Sequence, residues 1–449
     1  MNHYQIAIIG GGPAGYTAAA KAGKSNQKVV LFEKNKLGGV CLNEGCIPTK
    51  TLLYSAKLFD YTKDSSKYAV TVNEANFDLK KIIARKNKVV RKLVLGVKAK
   101  VTEANVEVIE GEATLKNSTT IVCNEQEYTF DKLIVCTGSS TFIPPIKGVD
   151  TIEYWTHKEA LDSKELPEDL TVVGGGVIGM EFASFFNSLG VKVKVVEMQD
   201  EILPGFDKEA VENLRSEYAK KGIEFLLSTK VKEFTKLDDK INILLEKDGE
   251  DLTITTHKVL LSVGRKANTQ GIGLDKIGLS QNERGLFIVD DKLQSSNKNI
   301  FICGDANGKS LLAHTAIREA EVAVNTILNV NDTMSYDAIA GIVYTNPEIA
   351  GVGKTEEQLV AEGSSYEKRV IPMTFSGRFV AENEGLNGLC KLLFHKETHK
   401  ILGVHLVGNP ASEIITLASM AITYKMTISD WEKLVFPHPT VGEIFKDVL

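Results

Sequence analysis

Two thiols lie close together in Gly38-Gly39-Val40-Cys41-Leu42-Asn43-Glu44-Gly45-Cys46-Ile47-Pro48-Thr49-Lys50. At this spacing, Cys41 and Cys46 can be core residues, half of a metal site or a redox pair. A metal site needs further ligands at compatible spacing, and no second Cys or His pair accompanies them; no metal is expected. If the two thiols bond to each other, the local backbone must bend. Five residues along a regular α-helix put two Cα atoms roughly 8–9 Å apart, whereas a disulfide accepts about 4.4–6.8 Å. Gly45 and Pro48 stand where such a distortion is tolerated. The chain has six cysteines. Cys136 and Cys303 sit inside apolar runs (LIVCTG and IFICGD) and are expected as buried, reduced core residues.

The elements around this segment carry an internal duplication. An apolar strand, Gln5 to Gly10, runs into Gly10-Gly11-Gly12-Pro13-Ala14-Gly15, then a helix, then a strand ending at Glu33. The pattern returns at Leu170 to Gly174, Gly174-Gly175-Gly176-Val177-Ile178-Gly179, a helix, and a strand ending at Glu197. Gly10 to Glu33 and Gly174 to Glu197 have the same spacing. Each unit later meets an apolar strand closed by glycine, Gly138 in the first and Gly264 in the second.

Each glycine has a mechanical task. Gly10 and Gly174 make the tight turn, Gly12 and Gly176 let backbone approach a pyrophosphate, and Gly15 and Gly179 allow close helix–strand packing. The helix N-terminus offers unpaired N–H groups to the anion, and the terminal carboxylate accepts from ribose hydroxyls. Two dinucleotides are therefore expected. A further strand ends at Gly304-Asp305, where an aspartate can bind hydroxyls of a long cofactor. A cofactor held near residues 10, 33 and 305 spans separate segments, which suits FAD. The second unit, with Glu197 and no nearby arginine, suits NAD, because a 2′-phosphate would be repelled there. A thiol pair fits such a chain as a relay between flavin, disulfide and nicotinamide.

On these residues the chain resembles the flavin-dependent pyridine nucleotide–disulfide oxidoreductases, within them the members that oxidise protein-bound dihydrolipoyl groups with NAD. The resemblance spans nearly the whole chain. It includes the Cys-Leu-Asn-x-Gly-Cys-Ile-Pro-Thr-Lys segment, both nucleotide units, Gly304-Asp305, Leu312-Ala313-His314, Tyr344 to Ala350 and the C-terminal His438-Pro439-Thr440-x-x-Glu443.

The resemblance implies roles. Cys46 is the flavin-side thiol and Cys41 the outer thiol that exchanges with substrate. Lys50 lies near the flavin, paired with Glu181, and Ala313 belongs to the FAD site. His438 is the acid–base group, oriented by Glu443. It also implies a homodimer, and a partner that is the lipoyl domain of a 2-oxo acid dehydrogenase complex or the lipoyl carrier of glycine cleavage. The chain departs from the pattern at Phe436, where a histidine is usual, at Gly442, where serine is usual, and at Glu44, which puts a charge between the thiols. Rival readings are another disulfide or small-thiol reductase of the family, or a non-catalytic flavoprotein that senses NADH.

The expected fold class is α/β: two Rossmann-like dinucleotide-binding domains and an α+β interface domain. The division is FAD-binding at 1–149, NAD-binding at 150–269, a central segment at 270–336 that completes the FAD site, and an interface domain at 337–449. A net charge of −5 and a pI near 6.0 give no reason to expect nucleic acid or an anionic membrane. The chain reads directly into a strand, and its least polar stretch carries Glu181 among glycines, so a cytoplasmic protein is expected.

Overall fold

The computed structural model describes residues 2–449 and divides into two units. The first contains the residues up to Thr51, Ala84–Phe142 and Arg265–Ser335. Its main sheet runs in the order Glu107–Glu110, Val29–Glu33, Asn2–Ile9, Gln126–Val135, Thr120–Cys123, Thr114–Asn117, with Ile300–Ile302 also paired to Gln126–Val135. The four strands Glu107–Glu110, Val29–Glu33, Asn2–Ile9 and Gln126–Val135 are mutually parallel, as is Ile300–Ile302. Val29–Glu33 is buried at all five positions, the first four apolar, the pattern of a strand covered on both faces.

Register decides what this sheet can do. Ile9 lies opposite Phe32 on one side and Val135 on the other, and Val135 lies opposite Ile302. The residues that follow, Gly10, Glu33, Cys136 to Gly138 and Cys303 to Asp305, thus emerge together at the carboxyl ends of the strands, where ligands bind in open α/β sheets. The helix Pro13–Lys24 starts with proline in its first turn and buries Ala18, Ala19, Ala20 and Ala22; proline suits that position, and the small side chains let the helix lie close.

The second unit contains Leu52–Ile83, Ile143–Gly264 and Tyr336–Leu449. It repeats the motif in a parallel sheet ordered Glu224–Leu226, Lys192–Val196, Asp169–Val173, Lys258–Leu261, Tyr154–Trp155. A three-stranded antiparallel sheet (Thr229–Leu237, Lys240–Lys247, Glu250–Thr256) follows. The C-terminal region forms an antiparallel sheet ordered Gly341–Val343, Ile349–Gly353, Ile401–Val407, Leu389–His395, Tyr366–Ile371. The helix Ala411–Thr423 buries Ala411, Ile415, Ala418 and Ala421 against that region's core. Ile414 and Ile422 of the same helix are partly buried at the margin of that core.

Inside the second unit a charged cluster joins the nucleotide-binding region to the C-terminal sheet. The Lys391 ammonium, on a side chain 1% exposed, lies 3.0 Å from Asp207, 3.0 Å from Glu209 and 2.6 Å from Glu356. Burial opposes the charge on Glu356, but hydrogen bonds from Lys391, Lys368 and Tyr366 outweigh it and bring its pKa down to about 2. A carboxylate depressed in the folded state stabilises fully above its unfolded pKa, and that stability is lost as pH falls through the folded value. The Glu356 contribution is therefore expected to be intact at neutral pH, to weaken below about 4.5, and to be gone only near pH 2. Lys391→Met should cost about 3–5 kcal/mol, because it leaves buried Asp207 uncompensated. Thermal unfolding of wild type, Lys391→Met and Glu356→Gln across pH checks both statements; an unchanged melting temperature in Lys391→Met contradicts them.

Candidate active site

The thiol segment resolves the geometric conflict between helix and disulfide by breaking the helix. Gly39–Glu44 forms a short helix, Gly45 departs from helical backbone at φ −139° and ψ −106°, and a new helix runs Cys46–Lys63. Cys41 and Cys46 are disulfide-bonded, with Cα atoms 4.6 Å apart. A side chain at Gly45 would stand 3.1 Å from the Val40 carbonyl oxygen and 3.3 Å from the Cys41 Cα, closer than ordinary packing permits. Asn43 pins the approach by donating to the carbonyls of Leu37 and Gly39 at 3.1 and 2.9 Å. Thr49 Oγ1 donates to the Gly45 carbonyl at 2.6 Å, holding the first turn of the new helix.

Both bonded cysteines are half-buried, while Cys123, Cys136, Cys303 and Cys390 are free and buried. Burial pushes the thiols of Cys123, Cys303 and Cys390 up, and that of Cys303 is raised further by its Cys136 neighbour. A thiol held protonated is a poor nucleophile, so among these groups the exchange chemistry belongs to the Cys41–Cys46 pair. Glu44, the charge placed between them, does not stand alone: Arg265 faces it and Asp305 electrostatically.

The two dinucleotide cradles have the same construction. Gly10 and Gly174 take φ +98° and +103°, and a side chain on either would run into a facing carbonyl, of Cys136 or of Ser262. Gly15 and Gly179 press against the carbonyls of Gly10 and Gly174, which only glycine permits. At Gly12 an added Cβ meets nothing nearer than the Gly39 Cα at 3.9 Å, and at Gly176 nothing within 4 Å. The space beside the helix start is thus open. The helices Pro13–Lys24 and Val177–Ser188 begin at Gly12 and Gly176 without a side-chain cap, leaving N–H donors for an anion.

Each terminal carboxylate is fixed alike. Glu33 accepts from the N–H of Gly11 at 2.6 Å and of Asn35 at 2.7 Å. Glu197 accepts from Gly175 at 2.7 Å and Gln199 at 2.8 Å. Each oxygen keeps a second lone pair, enough to receive ribose hydroxyls. Gly138 and Gly264 adopt φ +69° and +128° with open space beside them. The residues present fit two dinucleotides.

Three residues that sequence reading missed support the first cradle. Arg265 donates to Ser139 Oγ at 2.7 Å and to its carbonyl at 2.6 Å. Ser139 in turn donates to Asp305 at 2.5 Å. Buried Glu319 accepts from the Gly304 N–H at 2.6 Å and from Asn307 at 2.9 Å, and so holds the Gly304-Asp305 turn. Ala313 opens the helix Ala313–Ile327, whose N-terminus also lacks a side-chain cap.

Lys50 lies half-buried on the redox helix, in the first unit, and Glu181 lies buried in the second, where it accepts the Tyr344 N–H at 3.2 Å. Near the C-terminus, His438 Nδ1 is 2.8 Å from Glu443 Oε1, and the other carboxylate oxygen accepts the Thr440 N–H at 2.7 Å. That backbone hydrogen bond, followed by the one from His438, holds the Glu443 carboxyl below its ordinary pKa. The imidazole is 81% exposed. Phe436 packs partly buried on the C-terminal core, and a Cβ at Gly442 would meet its neighbours only at ordinary contact distance, 3.8 Å or more. Among the described residues, no group of three or more His, Cys, Asp or Glu could hold a metal ion, and no helix is long and apolar enough to cross a membrane.

Duplicated dinucleotide cradles with a bonded thiol pair define a class. Residues 4–320 match the pyridine nucleotide-disulphide oxidoreductase family and residues 339–449 match its dimerisation domain, and the chain belongs to this family. Among its relatives, the dihydrolipoyl dehydrogenase of Mycoplasma genitalium is 37% identical, over 99% of this chain and 97% of that one. The dihydrolipoyl dehydrogenase of Geobacillus stearothermophilus is 36% identical over 97% and 93%. Of solved structures, LpdA from Mycobacterium tuberculosis superposes with a TM-score of 0.91 at 25% identity, covering 100% of this chain and 99% of that one. The flavoprotein disulfide reductase RclA from Escherichia coli gives 0.89 at 28% identity with the same coverage.

Proposed function

We propose that this chain acts as a dihydrolipoyl (dihydrolipoamide) dehydrogenase, passing two electrons from a dihydrolipoyl dithiol to NAD through the Cys41–Cys46 disulfide and FAD. The observation that carries the reading is the half-buried Cys41–Cys46 disulfide in a chain with two dinucleotide cradles. It is supported by relatives of that activity at 34–37% identity across their length. FAD, held at Gly10, Gly12, Gly15, Glu33, Gly138, Asp305 and Ala313, supplies the two-electron step between thiols and nicotinamide. NAD takes the cradle of Gly174, Gly176, Gly179, Glu197 and Gly264.

In this reading His438 removes a proton from the dithiol. The resulting thiolate attacks the Cys41 sulfur, breaks the Cys41–Cys46 bond and leaves Cys46 as thiolate. The second substrate thiol then closes on the first, expelling Cys41 as a thiol and releasing the cyclic disulfide. Substrate loses two electrons and two protons; the Cys41–Cys46 pair gains both electrons. Glu443 fixes the imidazole, and Lys50 and Glu181 are the two further charged residues assigned to the catalysis. The exposed His438, with Val435 three residues before it 95% exposed, supports a homodimer in which one subunit's histidine serves the other's disulfide. The dithiol is borne by a lipoyl domain or lipoyl carrier protein.

The test is steady-state turnover with dihydrolipoamide and NAD, beside glutathione disulfide with NADPH. The first pair should react and the second should not; the reverse would replace this reading with a small-thiol reductase of the same family. Nucleotide choice is a separate expectation. Glu197 is already anchored by two backbone N–H groups, so it cannot swing away from a 2′-phosphate. NAD should exceed NADP in kcat/KM by at least about 100-fold, as two or three kcal/mol of repulsion and lost hydrogen bonding dictate. Comparable values for the two nucleotides would remove the role given to Glu197.

A further inference from the structure

The helix Leu79–Glu103 carries nine lysines and arginines and a single acid, Glu103 at its end, in a chain whose net charge is −5. Elsewhere on the surface lysines commonly meet carboxylates: Lys34 with Glu112, Lys147 with Glu233, Lys208 with Asp200, Lys298 with Asp290. Here Lys88, Arg91, Lys92 and Lys98 are exposed and have no acidic partner among the described residues. Lys81, which meets Asp78 at 3.7 Å, Arg85, Lys88 and Lys92 follow at steps of four, three and four, so they share one narrow face of the helix; Arg91 and Lys98 lie about a quarter turn round from it. Cations left unneutralised in this way project an outward field that attracts acidic partners from a distance.

From Ala84 onward the helix belongs to the first unit. Arg85 donates from Nη1 to the Thr51 carbonyl at 3.0 Å, and Thr51 lies on the helix that begins with Cys46. The basic face is thereby anchored to the redox helix, one and a half turns from its reactive end.

We propose that the exposed face of Leu79–Glu103 is an electrostatic docking surface for an acidic protein domain that carries the dithiol substrate. This rests on the proposed activity and adds the chemistry of the partner. Nucleic acid and anionic membrane are disfavoured as occupants because the rest of the chain is acidic and repels them. A free dithiol such as dihydrolipoamide, uncharged and small, gains nothing from the face. A carrier domain gains encounter rate and lowered KM, the usual effect of complementary rim charges.

The test uses the holoenzyme and a triple variant, Lys88→Glu, Arg91→Glu, Lys92→Glu, which spares Arg85. Glutamate keeps good helix propensity at exposed positions. Two probes are compared, free dihydrolipoamide and a purified acidic lipoyl domain in its reduced form, each at low salt and at about 0.2 M NaCl, where exposed charges are screened. Wild type should lose at least about tenfold in kcat/KM for the domain on adding salt, with free dihydrolipoamide unchanged. The variant should show a similar loss for the domain already at low salt, carried by KM, no further salt effect, and wild-type turnover of the free substrate. Charge-preserving Lys88→Arg, Lys92→Arg should behave as wild type. Equal loss for both probes, or loss for neither, overturns the docking surface and leaves the activity standing. Wild-type retention on anionic vesicles or duplex DNA that the variant loses, without change toward the domain, also overturns it. If wild type oxidises neither probe, the proposed activity falls and the docking surface with it.

Discussion

Replacing Cys41 or Cys46 by serine is expected to lower dihydrolipoamide turnover by a factor on the order of 10⁴ or more, the scale of loss when a nucleophile is removed. NADH oxidation by an artificial electron acceptor, which bypasses the thiols, should survive in both variants. No other thiol can take over: Cys123, Cys136, Cys303 and Cys390 are buried, and burial pushes three of them well toward the protonated form. The two variants should also differ. In Cys41→Ser the remaining Cys46 is free to lie as a thiolate against the flavin, giving broad long-wavelength absorbance without any reductant. Cys46→Ser should lack that band even when reduced. The opposite pattern would exchange the two roles. Neither substitution removes a glycine turn or a buried hydrogen bond, so the fold should persist, and a circular dichroism spectrum matching wild type checks this.

His438→Gln is expected to cost about 10²–10⁴-fold in dihydrolipoamide turnover, the usual worth of an acid–base group, and to spare electron acceptance from NADH. Glu443→Gln should cost less, since the imidazole stays and only its orientation is loosened. The Glu443 carboxyl is held below its ordinary pKa. The pairing is therefore complete above that ordinary value and is lost only as pH falls through the lower, folded one. Its loss is thus not expected to shape the pH profile near neutrality. The proposed cross-subunit site gives this prediction its sharpest form. Mixing His438→Gln with Cys41→Ser under subunit exchange should recover about a quarter of wild-type activity, because half the dimers are mixed and each mixed dimer has one intact site. No recovery despite proven exchange would show that histidine and disulfide serve each other within one chain.

The parts of this site that were legible in the sequence are those fixed by short-range rules. A glycine that must take φ near +100°, as Gly10 and Gly174 do, or whose Cβ position is filled by a carbonyl, as at Gly15 and Gly179, leaves a mark that spacing alone reveals. The break between Glu44 and Cys46 was legible for the same reason: helix geometry and disulfide geometry conflict, and only a distortion reconciles them. The supporting groups were not legible. Arg265 reaches Ser139, and Ser139 reaches Asp305, only because Ser139–Thr141 pairs antiparallel with Arg265–Ala267; nothing local in either segment announces the pairing. The cluster of Asp207, Glu356 and Lys391 depends likewise on tertiary placement, and each member alone reads as an ordinary solvated charge. Glu44 puts a negative charge between the thiols, and that Arg265 is set against it is visible only in the structure.

The central claim is that substrate electrons enter through the Cys41–Cys46 disulfide. Thiol trapping tests it most directly. The oxidised holoenzyme is mixed anaerobically with dihydrolipoamide without NAD, quenched with an alkylating reagent and mapped by mass spectrometry. The account predicts that the Cys41–Cys46 linkage disappears, that label appears first on Cys41, and that adding NAD before the quench restores the disulfide and prevents labelling. A disulfide that stays intact in the presence of dihydrolipoamide, while NADH still forms on adding NAD, would contradict the account at its root.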